Sequence, residues 1–489
     1  MSLRIPAIMI QGTGSNVGKS LLVAGLCRHF ARQGLRVRPF KPQNMSNNAA
    51  AVEGGEIGRA QALQARAAMV QPNVHMNPVL LKPETDRRSQ IIVQGQRFGR
   101  LEAETYRQRG ALLPFVLDSF AQLGARADLI VVEGAGSPAE TNLRHGDIAN
   151  MGFAAAASVP VILAGDIDRG GVIASLVGTH TVLADEDKRR IRGFLINKFR
   201  GDATLFADGI ETIEKRTGWP SLGILPWFPH AHTLPAEDAL DIASAPREGA
   251  VIKIAVPMLP RIANFDDLDP LKLDPTVDLR IVSPGTPLPL DAHLIIIPGS
   301  KATIADLGFL RQQGWHIDLA AHVRRGGQVL GLCGGYQMLG RTLSDPEGIE
   351  GPAGTCEGLG LLAVDTVLTN DKTVRPVMAR HAASNLELEA YEIHLGVTTG
   401  VDTKQAPFRC DGAVEGAMSA DGRIIGTYLH GLFTTDAFRE VFLGSLNADR
   451  QPTGFRYGAE VEASLEALAD HVGEHLDTAR LLEIARERV

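Results

Sequence analysis

A compact apolar run from Ile5 to Gln11 ends in Gly12-Thr13-Gly14-Ser15-Asn16-Val17-Gly18-Lys19-Ser20, and a helical pattern of Leu21, Leu22, Ala24, Gly25, Leu26 and Phe30 follows at once. A strand, a Gly-rich loop and a helix in direct succession constrain the fold more than any other stretch, because this is the context of a phosphate-binding P-loop. Loop amides and the helix N-terminus cradle phosphates, Lys19 reaches the outer ones, and the Ser20 hydroxyl can ligate magnesium. The spacing departs from the strict motif: five residues separate Gly12 from Gly18, where that motif has four.

The same rhythm continues along the chain. Short apolar runs at Arg36 to Phe40, Asp128 to Glu133, Val159 to Asp166, Ile191 to Asn197 and Leu222 to Pro226 alternate with helical patterns. Such alternation predicts a mostly parallel sheet with helices on both faces, whose ligands sit beyond the carboxyl ends of the strands. Polar residues gather at those ends: Lys41-Pro42-Gln43-Asn44, Glu133-Gly134-Ala135-Gly136, Asp166 to Gly171 and Asn197 to Asp202. A carboxylate there can hold a phosphate-bound magnesium directly or through water, which makes Glu133 the first metal candidate and Asp166 the second. Between Lys82 and Arg109, seven basic residues (Lys82, Arg87, Arg88, Arg97, Arg100, Arg107, Arg109) face four acidic ones (Glu84, Asp86, Glu102, Glu104). A solvated helix face is the ordinary reading of that stretch, and a polyanionic substrate would want the same residues.

From Trp227 to Ala250 the pattern dissolves into Pro-, His- and Ala-rich sequence, an expected interdomain linker. Strand-like runs resume at Val251 to Met258, Leu279 to Ser283, His293 to Pro298, Gln328 to Leu332, Gly360 to Leu368, Tyr391 to Leu395 and Arg423 to Leu429. The last follows Asp421-Gly422, a hairpin-turn signal. In this half Gly331-Leu332-Cys333-Gly334-Gly335 lies between a strand and the helical Tyr336-Gln337-Met338-Leu339. A residue on such a turn is held out of the sheet and needs small neighbours, as the serine of a nucleophile elbow does. The helix that follows aims amides at the sulfur and favours thiolate. A cysteine nucleophile needs a base, and His430, which alone would read as a structural histidine, becomes the candidate through its place at a strand end in Tyr428-Leu429-His430-Gly431. Ile296-Ile297-Pro298-Gly299-Ser300 adds a loop whose amides can join that of Gly334 in an oxyanion hole. Val461, Leu465, Leu468, Val472 and Leu476 then recur at helical steps, and Leu481 and Ile484 extend the pattern.

Composition excludes several classes. A net charge of −7 and a pI near 6.1 argue against general nucleic-acid binding. Cys27, Cys333, Cys356 and Cys410 show no C-x-x-C spacing, which points away from a disulfide framework or zinc site and toward a reducing cytoplasm. Met1-Ser2-Leu3-Arg4 leaves no room for a signal peptide, and the longest apolar run, Met151 to Gly165, contains Pro160 and is too short to span a membrane. It reads as a helix end followed by a buried strand. At 489 residues two or three domains are expected: 1–245 around the P-loop, 251–438 around Cys333, and a helical extension over 439–489. Nothing in the sequence specifies an oligomeric state.

Ile297-Pro298-Gly299-Ser300, Gly331-Leu332-Cys333-Gly334-Gly335, Tyr391-Glu392-Ile393-His394 and Tyr428-Leu429-His430-Gly431 make residues from Val251 to about Phe438 similar to class I glutamine amidotransferase domains of the cobyrinate type. The first half resembles the dethiobiotin synthetase group of P-loop enzymes, which share the Gly12 to Ser20 spacing. Lys41-Pro42-Gln43-Asn44-Met45-Ser46-Asn47-Asn48 and Gly165-Asp166-Ile167-Asp168-Arg169-Gly170-Gly171 look like the corrinoid-amidating enzymes that join both domains. The resemblance implies an α/β fold of two doubly wound domains, the second flavodoxin-like, with C-terminal helices. It also implies amidation dependent on ATP, Mg2+ and L-glutamine. The corrinoid polycarboxylate would be adenosylcobyrinic acid a,c-diamide, amidated at b, d, e and g in cobalamin synthesis.

On this reading Cys333 attacks glutamine, the Gly299 and Gly334 amides hold the oxyanion, and His430 protonates departing ammonia. ATP at Lys19 yields an acyl phosphate, which ammonia reaches along a shielded path. The nearest alternative is a two-domain enzyme that amidates the a and c carboxylates; another is a P-loop regulatory ATPase with an inert amidotransferase-like module. Leu432 stands where most class I enzymes carry a glutamate, in keeping with the cobyrinate type. Glu392 and His394 share one face of a period-two strand. The resemblance implies that this strand lies near the nucleophile, so one of them is expected to orient His430 or the glutamine, with a cross-strand pair as the competing reading.

Overall fold

The computed structural model describes residues 6–84, 88–235 and 247–487. They form two compact units, one from residues within 1–46, 54–235 and 461–489 and the other from residues within 47–53 and 236–460. Of the sequence expectations, Met1 to Ile5, Asp86 and Arg87, and residues 236–246 of the linker lie outside the described residues, as do the side chains of Glu102, Glu104 and Arg107. No helix among the described residues is long and apolar enough to cross a membrane.

The first unit is built on six parallel strands in the spatial order Ser221–Pro226, Ile191–Phe199, Val161–Asp166, Ala7–Gly12, Leu129–Glu133 and Val37–Phe40. Chain order reverses at Ala7–Gly12, so the Gly12 to Ser20 loop sits at the topological switch point, where sheets of this kind bind ligands. Ala7–Gly12, Leu129–Glu133 and Val161–Asp166 are buried along their whole length. Helices cover both faces, which is why these strands read as continuous apolar runs without alternation. Met151 to Gly165 resolves as expected into a helix, Met151–Ala157, and the strand Val161–Asp166.

The basic stretch is not a solvated helix face. Val79–Pro83, Arg88–Val93 and Gln96–Glu102 form an antiparallel ladder that Gln43–Met45 joins in parallel. Ile91, Ile92 and Val93 favour a strand, and Gln94 and Gly95 both take positive φ (47° and 82°) in a two-residue turn that matches strand twist. Among the described charges of this stretch, Lys82, Glu84, Arg88 and Arg100 are paired within the unit. Lys82 is buried on Glu56 at 2.7 Å, while Arg88 and Arg100 converge on Glu84 at 3.0 and 3.3 Å.

The helices Tyr457–His475 and Thr478–Ala485 bury Val461, Leu465, Leu468, Val472, Leu481 and Ile484, the positions that the periodicity marks. From Val461 onward they belong to the first unit. Arg28, on the P-loop helix Lys19–Arg32, fastens them. Its guanidinium donates to the Ala67 and Arg66 carbonyls at 2.8 and 3.1 Å and pairs with Glu462 and Glu466 at 2.8 and 2.6 Å. Arg28→Ala is expected to lower unfolding stability by about 2–3 kcal/mol, read as a lower denaturation midpoint. Most of that loss comes from the buried Ala67 carbonyl left without its donor, since the Arg66 carbonyl keeps the Met69 amide at 3.0 Å, and little from the half-exposed glutamates.

The second unit has a parallel sheet in the order Val277–Val282, Ile252–Pro257, Leu294–Ile297, Gln328–Leu332 and Ile424–Thr427, with Ala417–Met418 antiparallel at its edge. Beside it lies a long hairpin, Val364–His381 with Glu387–Gly400. The expected strand Arg423 to Leu429 is divided. Ile424–Thr427 stays in the parallel sheet, whereas Leu429–His430 pairs antiparallel with Tyr391 and Glu392 of the hairpin. Glu415 makes the transfer possible: its carboxylate accepts from the Thr427 hydroxyl at 2.6 Å and the Tyr428 amide at 2.7 Å. Burial pushes this carboxyl up to about 7 against the pull of those two donors.

Candidate active sites

In the second unit Cys333 connects the strand Gln328–Leu332 to the helix Gly334–Leu339 with φ 51° and ψ −108°. A β-carbon makes that conformation costly, roughly 1–3 kcal/mol, and it persists only where the surroundings enforce it. The Cys333 amide donates to the Thr427 carbonyl at 2.8 Å, and a Cβ at Gly335 would lie 2.0 Å from the Ile297 carbonyl oxygen. Glycine is therefore obligatory just after the elbow. The thiol is nearly buried and its Sγ contacts the Ile393 carbonyl at 3.4 Å.

His430 lies close enough to this thiol for the two to influence each other's charge, and its Nδ1 lies 2.6 Å from Asp267 Oδ2. Burial disfavours the imidazolium, but the charge and hydrogen bond of Asp267, followed by Cys333, outweigh it and push His430 up to about 10. Since Nδ1 is taken by Asp267, Nε2 is the nitrogen left for Cys333. The Gly299–Ser300 strand runs past the same place. A Cβ on Gly334 would meet the Ser300 amide nitrogen at 2.9 Å, and one on Gly299 would lie 3.6 Å from His430 Cε1. The structure thus brings Cys333, His430, Gly299 and Gly334 together. A sulfur nucleophile, a proton carrier and a backbone rim for an oxyanion are the parts that acyl transfer requires.

Glu392 and His394 do not orient His430. Glu392 pairs at 2.6 Å with Arg375, its cross-strand partner in the hairpin register. His394 stacks on Tyr428 with 3.9 Å between centroids, and burial, then the charge of His430, push it down to about 4. Asp267 was not visible from sequence. It lies in Asp266-Asp267-Leu268-Asp269, an acidic cluster with no spacing rule linking it to a histidine 163 residues away.

In the first unit the Lys19 ammonium donates to the Gly14 and Gly136 carbonyls at 3.1 and 3.3 Å. The Ser20 hydroxyl donates to Glu133 Oε1 at 2.8 Å, so the first two members of the expected metal set meet. Glu133 is fully buried and also accepts from Lys41 Nζ at 2.8 Å, Gln64 Nε2 at 2.5 Å and Gln61 Nε2 at 3.4 Å. Asp166 is engaged elsewhere: Oδ2 pairs with Lys198 at 2.9 Å and Oδ1 accepts the Asp168 amide at 2.9 Å. Lys198 also binds the Asn16 carbonyl at 2.5 Å, and Asn197 Nδ2 the Val17 carbonyl at 2.7 Å, so this pair steadies the loop Gly12 to Ser20.

The donor set suits a magnesium ion. Ser20 and Glu133 offer hard oxygens, and the Gln64 amide that holds Glu133 leaves its own Oε1 buried without a hydrogen-bond donor. Magnesium takes few protein ligands and keeps water and phosphate oxygens for the rest.

Comparison with known proteins follows the same division. Residues 8–241 match the CobQ/CobB/MinD/ParA nucleotide binding domain and residues 253–438 the CobB/CobQ-like glutamine amidotransferase domain. The chain is 62% identical over 482 residues to a cobyric acid synthase of Rhodobacter capsulatus, covering 98% of this chain and 100% of that one. It is 60% identical to proteins of the same name from Cereibacter sphaeroides (99% of this chain, 100% of the relative) and Bradyrhizobium diazoefficiens (98% and 99%).

Proposed function

The chain belongs to the cobyric acid synthase family, and on that premise we propose that it uses ATP and L-glutamine to amidate the b, d, e and g carboxylates of adenosylcobyrinic acid a,c-diamide. The observation that carries this reading is the presence in one chain of the Cys333–His430 pair and of the Lys19, Ser20 and Glu133 group. Neither site alone makes an amide from glutamine. A reducing cytoplasm suits a chemistry that depends on a free Cys333.

Cys333 Sγ attacks the carboxamide carbon of glutamine while the Gly299 and Gly334 amides bind the oxygen as it gains charge. The C–N bond breaks as His430 gives its Nε2 proton to the departing nitrogen, and ammonia leaves. His430 then takes a proton from water, which opens the thioester to glutamate and restores the thiol. In the first unit the loop Gly12 to Ser20 and Lys19 hold the ATP phosphates while a corrinoid carboxylate oxygen displaces ADP from the γ-phosphorus. Ser20 and Glu133 would hold magnesium, which neutralises phosphate charge when bound. Ammonia attacks the acyl phosphate and inorganic phosphate leaves.

A mass spectrum of the products formed with ATP, glutamine and the a,c-diamide tests this. The expected end product carries four further carboxyl-to-carboxamide conversions. An unchanged a,c-diamide, despite ATP turnover, would overturn the reading in favour of an ATPase. Conversion of unamidated cobyrinic acid that stops at the a,c-diamide would overturn it in favour of the sister reaction.

A further inference from the structure

Leu432 occupies the place where most class I amidotransferases carry a carboxylate, and its side chain is buried in the core. His430 nonetheless has an acidic partner. Asp267 presents Oδ2 to His430 Nδ1 at 2.6 Å and Oδ1 to the Gly431 amide at 2.6 Å. The side chains are 4% and 2% exposed, so little water competes for either contact. Because the second oxygen grips the peptide adjoining His430, the carboxylate is locked to the backbone that carries the imidazole.

Asp267 also sits on a segment that touches the site at two further points. Ile262–Ala263 pairs antiparallel with Gly299–Ser300, the strand that carries one oxyanion amide. Asn264 follows with φ 52° and donates to the Tyr391 hydroxyl at 3.2 Å. The Tyr391 ring lies stacked on His430, with centroids 5.1 Å apart and planes 17° apart. Seven consecutive residues, Ile262 to Leu268, therefore fix the oxyanion strand, the ring above the imidazole and the imidazole itself.

We propose that Asp267 is the positioning residue of the glutaminase site, holding His430 in the Nδ1–H tautomer with Nε2 toward Cys333. It does the work of the carboxylate absent at Leu432. The proposal rests on the glutaminase reading above. Asp267 keeps its charge throughout: the proton that reaches ammonia comes from His430 Nε2, and the one regained comes from water. Among the described residues, Cys333, Tyr391, His394 and Glu415 are the other titratable groups around His430, and Asp267 is the one whose carboxylate contacts the ring.

Asp267→Asn tests it. An amide can still accept the Gly431 amide, but its NH2 then faces Nδ1 and selects the opposite tautomer. Glutaminase kcat should fall about a thousandfold with KM for glutamine little changed, as expected for a wrong tautomer in otherwise intact geometry. The alkaline limb of the glutaminase pH profile should move at least one unit toward acid, because the imidazolium has lost its anion. Ammonium-dependent amidation should stay near that of the parent. Asp267→Glu, which keeps the charge, should restore glutaminase to within about tenfold of the parent and return the limb.

Glutaminase within fivefold of the parent and an unmoved limb in Asp267→Asn would overturn the proposal. So would equal losses in both variants with the parental limb, the mark of a merely structural role. Failure of the parent chain to amidate with either nitrogen source would instead sink the underlying function, which separates the two results.

Discussion

Cys333→Ala is expected to lower glutamine-dependent amidation by about 10⁴-fold or more, while amidation fed by high ammonium stays near the parental rate. The magnitude follows from removing the atom on which the thioester forms. About 5.5 kcal/mol of transition-state stabilisation disappears with it, because the oxyanion amides and His430 are left to act on water alone. The fold should survive. Alanine meets the same strain at φ 51° that cysteine already bears, and the sulfur gives up a weak contact to the Ile393 carbonyl at 3.4 Å and its interaction with His430, which Asp267 still holds. ATP-dependent activation of the carboxylate uses Lys19, Ser20 and Glu133, none of which belongs to the same compact unit as Cys333. The decisive measurement is amide product per hour with glutamine and with ammonium chloride, alongside a melting curve. A folded variant that has lost both activities would contradict two separable sites.

Local geometry explains which features were legible in the sequence. The parallel strands could be read because both faces are buried, so Ala7–Gly12 and Val161–Asp166 are unbroken apolar runs. The loop at Gly12 to Ser20 and the elbow at Cys333 could be read because each is one continuous stretch. The encounter of Ser20 with Glu133 followed from a rule about strand ends, yet the same rule also proposed Asp166, which the fold uses to hold Lys198.

What escaped has no local code. Val364–His381 was foreseen only over its first residues, because beyond Leu368 the strand is half-exposed and rich in charge. The transfer of the chain between sheets at Tyr428 depends on Glu415, a buried carboxyl from a different strand. Asp267 and His430 are joined by tertiary packing alone. A missing glutamate at Leu432 showed that a partner was needed, and the resemblance with period-two geometry nominated Glu392 or His394, of which the first is held by its register partner Arg375 and the second is stacked on Tyr428.

Lys19→Ala should reduce amidation about a thousandfold with either nitrogen source while leaving Cys333 fully reactive toward a glutamine-derived alkylating analogue. Lys19 is 7% exposed and its ammonium bridges the carbonyls of Gly14 and Gly136, so it is fixed above the loop before any nucleotide arrives. A fixed cation costs no reorganisation when charge shifts onto the transferred phosphoryl oxygens. Removing one such group raises the barrier by about 4 kcal/mol, which is the thousandfold loss. The carbonyls left behind lie at a loop that ATP and water can reach, so destabilisation should be slight.

Ser20→Ala provides the contrast. Its hydroxyl touches Glu133 and would serve magnesium, so that variant should raise the magnesium concentration needed for half-maximal synthesis. Lys19→Ala should leave that requirement where it was. Normal ATP-dependent amidation by Lys19→Ala would remove the nucleotide assignment from the loop, whatever the behaviour of Cys333.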